Sequence, residues 1–278
     1  MGQAKNKRSS FFAAHPRYAF CGGHELATTI EHCRPRAVFN GRHWPEGFEF
    51  PACKACNSGT SNEDIIIAFL SRLDPDEGVG NEDGKLAGYM KNANALFPEL
   101  IKNMLPTAAE ARRLNRDFSI KPQTGQTHQD VSPVKIPIEM HEAVCVFGRK
   151  LSKAIYYLHA KQPFPNDGCL LLNWFANADI LREGKSTLFD ALKNIPGDTP
   201  LLQRGGKYLN AQFDYRVSIS GDNASYLVQA RFRNAFGFAA LGSTTSGYLE
   251  GILTKLQEQN SRESPLTVIQ SSILPLNF

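Results

Sequence analysis

Within residues 21–57 the chain gathers four cysteines, several histidines and a carboxylate-imidazole pair: Cys21-Gly-Gly-His24, then Glu31-His32-Cys33-Arg34-Pro35-Arg36, then Cys53-Lys54-Ala55-Cys56-Asn57. Cys53-x-x-Cys56 is a knuckle, because two thiolates three positions apart can turn back onto one tetrahedral ion. A structural zinc takes four ligands, so a second pair is expected upstream. Cys21-x-x-His24 has the matching spacing, with Cys33 and His15 as competitors for the fourth place. A module this short has little core, so the metal would supply much of its folding free energy. The first residues are basic but carry no apolar run, so no signal peptide is expected. Reduced, metal-binding thiols are then favoured over disulfides. Cys145 and Cys169 sit in apolar surroundings and read as inert core thiols.

Glu31 and His32 are neighbours on a short strand-like run, where successive side chains point to opposite faces. An imidazole titrates near pH about 6.5 and can accept a proton from water. A hard cation such as Mg²⁺ prefers oxygen, which Glu31 and the Asn57 carbonyl can offer. Asn57 directly follows the second knuckle cysteine, so a zinc there would fix Asn57 relative to Glu31-His32.

The combination of a cysteine, an acid-His pair and C-x-x-C-Asn resembles the HNH endonuclease superfamily, with its ββα-metal fold. Thr29–Arg36 is similar to the family's first strand and the turn after it, and Cys53–Asn57 to the start of its helix. The resemblance covers roughly residues 17–73. It implies a metal-dependent endonuclease that hydrolyses phosphodiester bonds in nucleic acid, with DNA as the expected substrate. His32 would be the general base. Glu31 and Asn57 would hold one catalytic divalent ion, Mg²⁺ or Mn²⁺, while Cys21, Cys53 and Cys56, with His24, would hold structural zinc. Arg34, Arg36 and Lys54 would clamp phosphates. The pattern departs from the family at three positions. Tyr18 stands where a first knuckle cysteine is usual, Glu31 where Asp is common, and Thr60 where Lys or His is frequent. A zinc-stapled module that binds nucleic acid without cutting it is the alternative, as is an RNA nuclease or toxin on the same site.

The elements that must position these residues are legible in outline. The 278 residues are 42% hydrophobic and 21% charged, ordinary for a globular chain. No apolar stretch reaches the length of a membrane span, and a cytoplasmic protein is expected. The net charge of +4 equals the excess carried by residues 1–56, where eight Lys/Arg face four Asp/Glu. That is the footprint of a small module meeting a phosphate backbone. The expected class is α+β: a basic disordered tail over 1–14, an HNH module over 15–75, and a larger α+β domain with an antiparallel sheet over 85–278. Short strands are expected at Tyr18–Phe20 and Thr28–Ile30, and a helix from Ser61 or Asn62 to Leu73. Residues 75–84 read as a linker, 85–104 and 107–116 as helices, and 121–137 as a long loop. Met140, Val144, Phe147, Leu151, Ile155 and Leu158 recur at helical spacing across 138–160. Arg149, Lys150 and Lys153 on that helix read as a solvated basic face. Strands are expected at 168–176, 211–220 and 225–242, the last broken at Arg233-Asn234, with a final helix over 247–258. Trp44 and Phe48 are candidates for base stacking or, with more weight, for packing under their loop.

Overall fold

In the computed structural model of the chain, the described residues are 2–24, 26–33, 36–74, 78–117, 134–176, 197–245, 247, 249 and 273–275. Helix α1 spans Gly2–Ala14, where the composition suggests a disordered tail. The helix is consistent with Gln3, Ala4, Lys5, Lys7 and Arg8, all good helix formers. The guanidinium of Arg8 also donates to the Thr28 carbonyl at 2.9 Å. Strand β1 (Thr29–Glu31) pairs antiparallel with β2 (Phe50–Ala52), Glu31 opposite Phe50. Tyr18–Phe20 is not a strand, although the Ala19 amide donates to Pro51 O. Helix α2 (Lys54–Ser58) and helix α3 (Ser61–Leu70) follow. In chain order β1 and β2 are followed by α2, which begins within the Cys53–Cys56 knuckle.

Helices α4 (Leu86–Leu96) and α5 (Leu100–Met104) divide the expected 85–104 helix. Pro98 lies at the break, and Glu99 adopts a left-handed φ of 76°. Helix α6 is Ala108–Asp117, and the expected loop over 121–137 is described only from 134. Helix α7 runs Ile138–Ala160, as its periodicity predicts. Strands β3 (Cys169–Ala176), β4 (Gln203–Arg204), β5 (Lys207–Tyr208), β6 (Asp214–Ile219), β7 (Ser225–Phe232), β8 (Phe236–Ser243) and β9 (Ile273–Pro275) complete the described elements. The main sheet is antiparallel in the order β6-β7-β8-β3-β9, and β4-β5 is a separate two-stranded hairpin. The turn expected at Arg233-Asn234 joins β7 to β8. The expected helix over 247–258 lies outside the described residues, apart from isolated positions. Among the described residues, no helix is long and apolar enough to cross a membrane.

Helix α7 lies between α3 and the sheet and is therefore buried along most of its length. One hydrophobic core runs from Phe20, Phe50 and Ile67 through Phe147 and Leu151 to Phe213 and Phe238. It is continuous across the boundary expected at 75–85. Buried charges bolt the two halves together. Arg233, from the β7–β8 turn, donates to Val38 O at 3.0 Å and to Asn40 Oδ1 at 2.9 Å. Arg72 donates to Asp83 Oδ1 at 2.7 Å and to Gly80 O at 3.0 Å. The part of the expected linker that is described is thus tied back onto the end of α3.

Candidate functional site

The knuckle forms because Cys53 caps α2. Its sulfur accepts from the Cys56 amide at 3.3 Å, which aims both thiols to one side. Cys21 approaches from the preceding loop, with its Sγ 2.9 Å from Cys56 Sγ and 3.6 Å from Cys53 Sγ. Gly22 and Gly23 turn that loop in the left-handed region, with φ of 69° and 77°. A Cβ at Gly22 would lie 2.9 Å from Asn166 Cγ, and one at Gly23 would lie 2.7 Å from Pro163 Cγ. The glycines are thus required both by conformation and by close approach. Asn166 Nδ2 donates to Cys21 O at 3.1 Å, and fully buried Lys153 donates to Phe20 O at 2.9 Å.

The three sulfurs form a cluster that could hold a metal ion such as zinc. Sulfurs about 2.3 Å from a tetrahedral zinc lie roughly 3.8 Å apart. The 3.6 Å pair already fits this spacing, and the 2.9 Å pair needs only to open slightly. Burial raises the Cys21 thiol and carries Cys56 far above the ordinary range. Burial acts the same way on Cys53, but hydrogen bonds from Cys56 and Cys21 outweigh it and hold that thiol below its usual value. Burial lowers Lys153 to about 8 against the opposing pull of Cys21 and Cys56.

Of the four zinc ligands expected from spacing, the structure brings three together. His24 is exposed and does not join the cluster. Cys33 and His15 do not join it either. Cys33 is buried near Lys150, and His15 Nδ1 lies 2.9 Å from the Tyr157 hydroxyl.

Glu31 ends β1 and His32 directly follows it, with the two side chains facing opposite ways. Glu31 turns inward and is 4% exposed. Its Oε2 lies 3.1 Å from Lys150 Nζ, an ion pair without hydrogen-bond alignment. Lys150 also donates to Thr60 Oγ1 at 2.6 Å. Burial alone would lower Lys150, yet Glu31, Cys33 and Asp64 together raise it. Burial also raises Glu31, and it pushes Asp64 up to about 7. The basic face expected on α7 is therefore interior. Lys150 is 3% exposed and its charge is met by carboxylates remote in sequence. A divalent ion at Glu31 Oε2 would have to displace Lys150, so the carboxylate as it stands does not fit a metal ligand. Asn57 Nδ2 donates to Ile30 O at 3.4 Å, which joins α2 to β1 beside the acid-His pair.

His32 faces outward and is half-buried. Arg36 Nη2 lies 2.6 Å from its Nε2, Glu49 Oε1 lies 3.8 Å from the same atom, and the Trp44 ring meets it edge-on at 5.0 Å. A guanidinium can only donate, and Arg36 Nη2 also lies 3.2 Å from Nδ1, so this contact favours a neutral imidazole with an accepting nitrogen toward Arg36. Burial lowers the His32 pKa and Arg36 and Arg204 lower it further, against Glu49. The guanidinium carbons of Arg36 and Arg204 lie 3.9 Å and 4.0 Å from the Trp44 ring centroid. The Trp44 indole N–H is buried without a hydrogen-bond partner. Lys54 is exposed on α2, and Arg34 lies outside the described residues.

Arg204 is a member of the site that the sequence does not point to. It comes from the β4–β5 hairpin, and nothing in the local pattern around it signals the contact. Phe48 packs as expected, in edge contact with Phe50, Phe213 and Tyr215. Trp174 is also core, and its Nε1 donates to His141 Nδ1 at 3.0 Å. Comparison with family models, with curated proteins and with solved structures finds no match to this chain.

Proposed function

We propose that the His32 face is the active site of an HNH-type endonuclease that hydrolyses nucleic-acid phosphodiesters, with DNA as the expected substrate. The observation that carries this reading is a neutral, half-exposed imidazole beside two arginines that share one indole. A neutral imidazole can take a proton from water, and the arginines can meet the charge that develops on an attacked phosphate. Arg36 engages Nε2 in the free protein. A phosphate offers that guanidinium a stronger, bidentate partner. Substrate binding then draws Arg36 off His32 and frees the nitrogen that serves as base. The three-cysteine cluster holds α2 against the loop before β1, and zinc bound there would be structural.

A second reading, a nucleic-acid-binding module that does not cut, is favoured by the Glu31–Lys150 pair. That pair occupies the carboxylate from which the family resemblance implies a catalytic Mg²⁺ or Mn²⁺ ligand. The two readings separate on activity alone. Under the nuclease reading, His32→Ala abolishes cutting and leaves affinity and zinc content in place. Under the binding reading, neither wild type nor variant cuts DNA or RNA, with or without added divalent metal, while both bind.

A further inference from the structure

The β4–β5 hairpin is a two-stranded ribbon closed by Gly205-Gly206, both with left-handed φ, of 56° and 75°. That is the geometry of a tight two-residue hairpin turn. Arg204 pairs directly with Lys207 across it, so the two cations lie on the same face. Like charges opposite one another destabilise a hairpin. Among the described residues, Arg204, Lys207 and Arg36 have no carboxylate within ion-pair distance. Two of the three are held by the Trp44 ring rather than by an anion, so their mutual repulsion is not offset by opposite charge.

The ribbon is nevertheless held firmly against the His32 face. Arg204 Nε donates to Trp44 O, Glu46 N donates to Gln203 O at 3.0 Å, and Gly205 N donates to Glu46 Oε1 at 3.1 Å. Tyr208, opposite Gln203 next to the cations, is 67% exposed. Two cations and a buried unpartnered indole N–H thus gather beside one imidazole, with Lys207 across the ribbon from Arg204 on the same face.

We infer that this hairpin is a phosphate-binding arm supplied by the C-terminal half: Arg204 closes with Arg36 on the phosphate at His32, and Lys207 holds a neighbouring phosphate of the same nucleic-acid strand. The inference rests on the nucleic-acid reading of the His32 face, but it concerns binding and does not require cutting. The test is fluorescence polarisation of a fluorescein-labelled DNA duplex with the protein as purified and no added Mg²⁺ or Mn²⁺, titrated between about 50 mM and 200 mM salt. A side chain that neutralises one phosphate adds about 0.9 to the steepness of log affinity against log salt, and its removal subtracts the same amount. Removing both side-chain charges in Arg204→Gln/Lys207→Gln should therefore flatten the slope by nearly two and weaken binding at least tenfold at the lower salt. Lys207→Gln alone should flatten it by about half as much. Lys207 is exposed, so that variant guards against a folding defect in the double one. Lys91→Gln, an exposed charge on α4, should leave the slope unchanged.

An unchanged slope in both hairpin variants, or an equal flattening in Lys91→Gln, overturns the arm. If wild type cuts DNA while the slope is unchanged, the arm falls and the nuclease reading stands. If the slope flattens and no cutting is ever seen, the arm stands and the nuclease reading falls. Failure of wild type to bind DNA overturns the arm.

Discussion

On the inner side of β1, Lys150 is buried and its charge is met by Glu31 at 3.1 Å, with Asp64 close enough to add to the field. On the outer side, Arg36 and Arg204 lie against Trp44, and the nearest carboxylate found at the imidazole is Glu49, 3.8 Å from His32. The two sides handle positive charge in opposite ways. The inner cation is neutralised by the protein itself, as a buried charge must be. The outer cations, among the described residues, have no carboxylate at ion-pair distance and rest on the Trp44 ring. The first arrangement is what a buried charge needs, and under the proposed reading the second is open to a phosphate. Here the two are separated by the thickness of one strand.

Breaking the inner pair should give the largest change in stability. Lys150→Met leaves Glu31 buried without its cation and should destabilise the chain by about 3–5 kcal/mol in urea unfolding. Adding Glu31→Gln should recover most of that stability. A Lys150→Met chain of wild-type stability would mean that the inner side is not charge-matched. The metal staple comes next. Cys53→Ser should give up bound zinc by elemental analysis and melt earlier, because it removes a thiolate while leaving a hydroxyl that can still cap α2. Serine is itself a good N-cap, so the loss of stability marks the metal's share.

A smaller effect is expected from Asp64. Its carboxyl holds a proton more tightly in the folded chain than its ordinary value of 3.8 implies, up to about 7. The folded state therefore binds the extra proton. The stability this contributes is present at low pH and is lost as pH rises through about 7. Asp64→Asn should flatten that decline and raise stability at pH above 7, on the order of 1 kcal/mol or somewhat more. Unfolding followed at several pH values checks this, and an unchanged slope would contradict it.

The contrast also marks what the sequence could reveal. The knuckle at Cys53 and Cys56, the periodicity of α7 and the β7-turn-β8 pattern are local signals, and each appears where it is expected. Lys150 and Lys153 read as solvated in the sequence because charge on a helix usually is. Their partners lie 90 and 133 residues away, at Thr60 and Phe20, so no local window could hold them. Arg204 reaches Trp44 across 160 residues, and its place at the site is hidden for the same reason. His24 matches by spacing alone, and the left-handed turn at Gly22 and Gly23 is followed by an exposed imidazole.

The outer side is tested most directly by cleavage of plasmid DNA by wild type and His32→Ala, with Mg²⁺ or Mn²⁺ and with EDTA. We expect cutting by wild type and a drop of about a hundred- to ten-thousandfold in the variant, with zinc content and melting unchanged. Wild-type activity in a variant that lacks the imidazole would contradict this, because His32 would then not be the base.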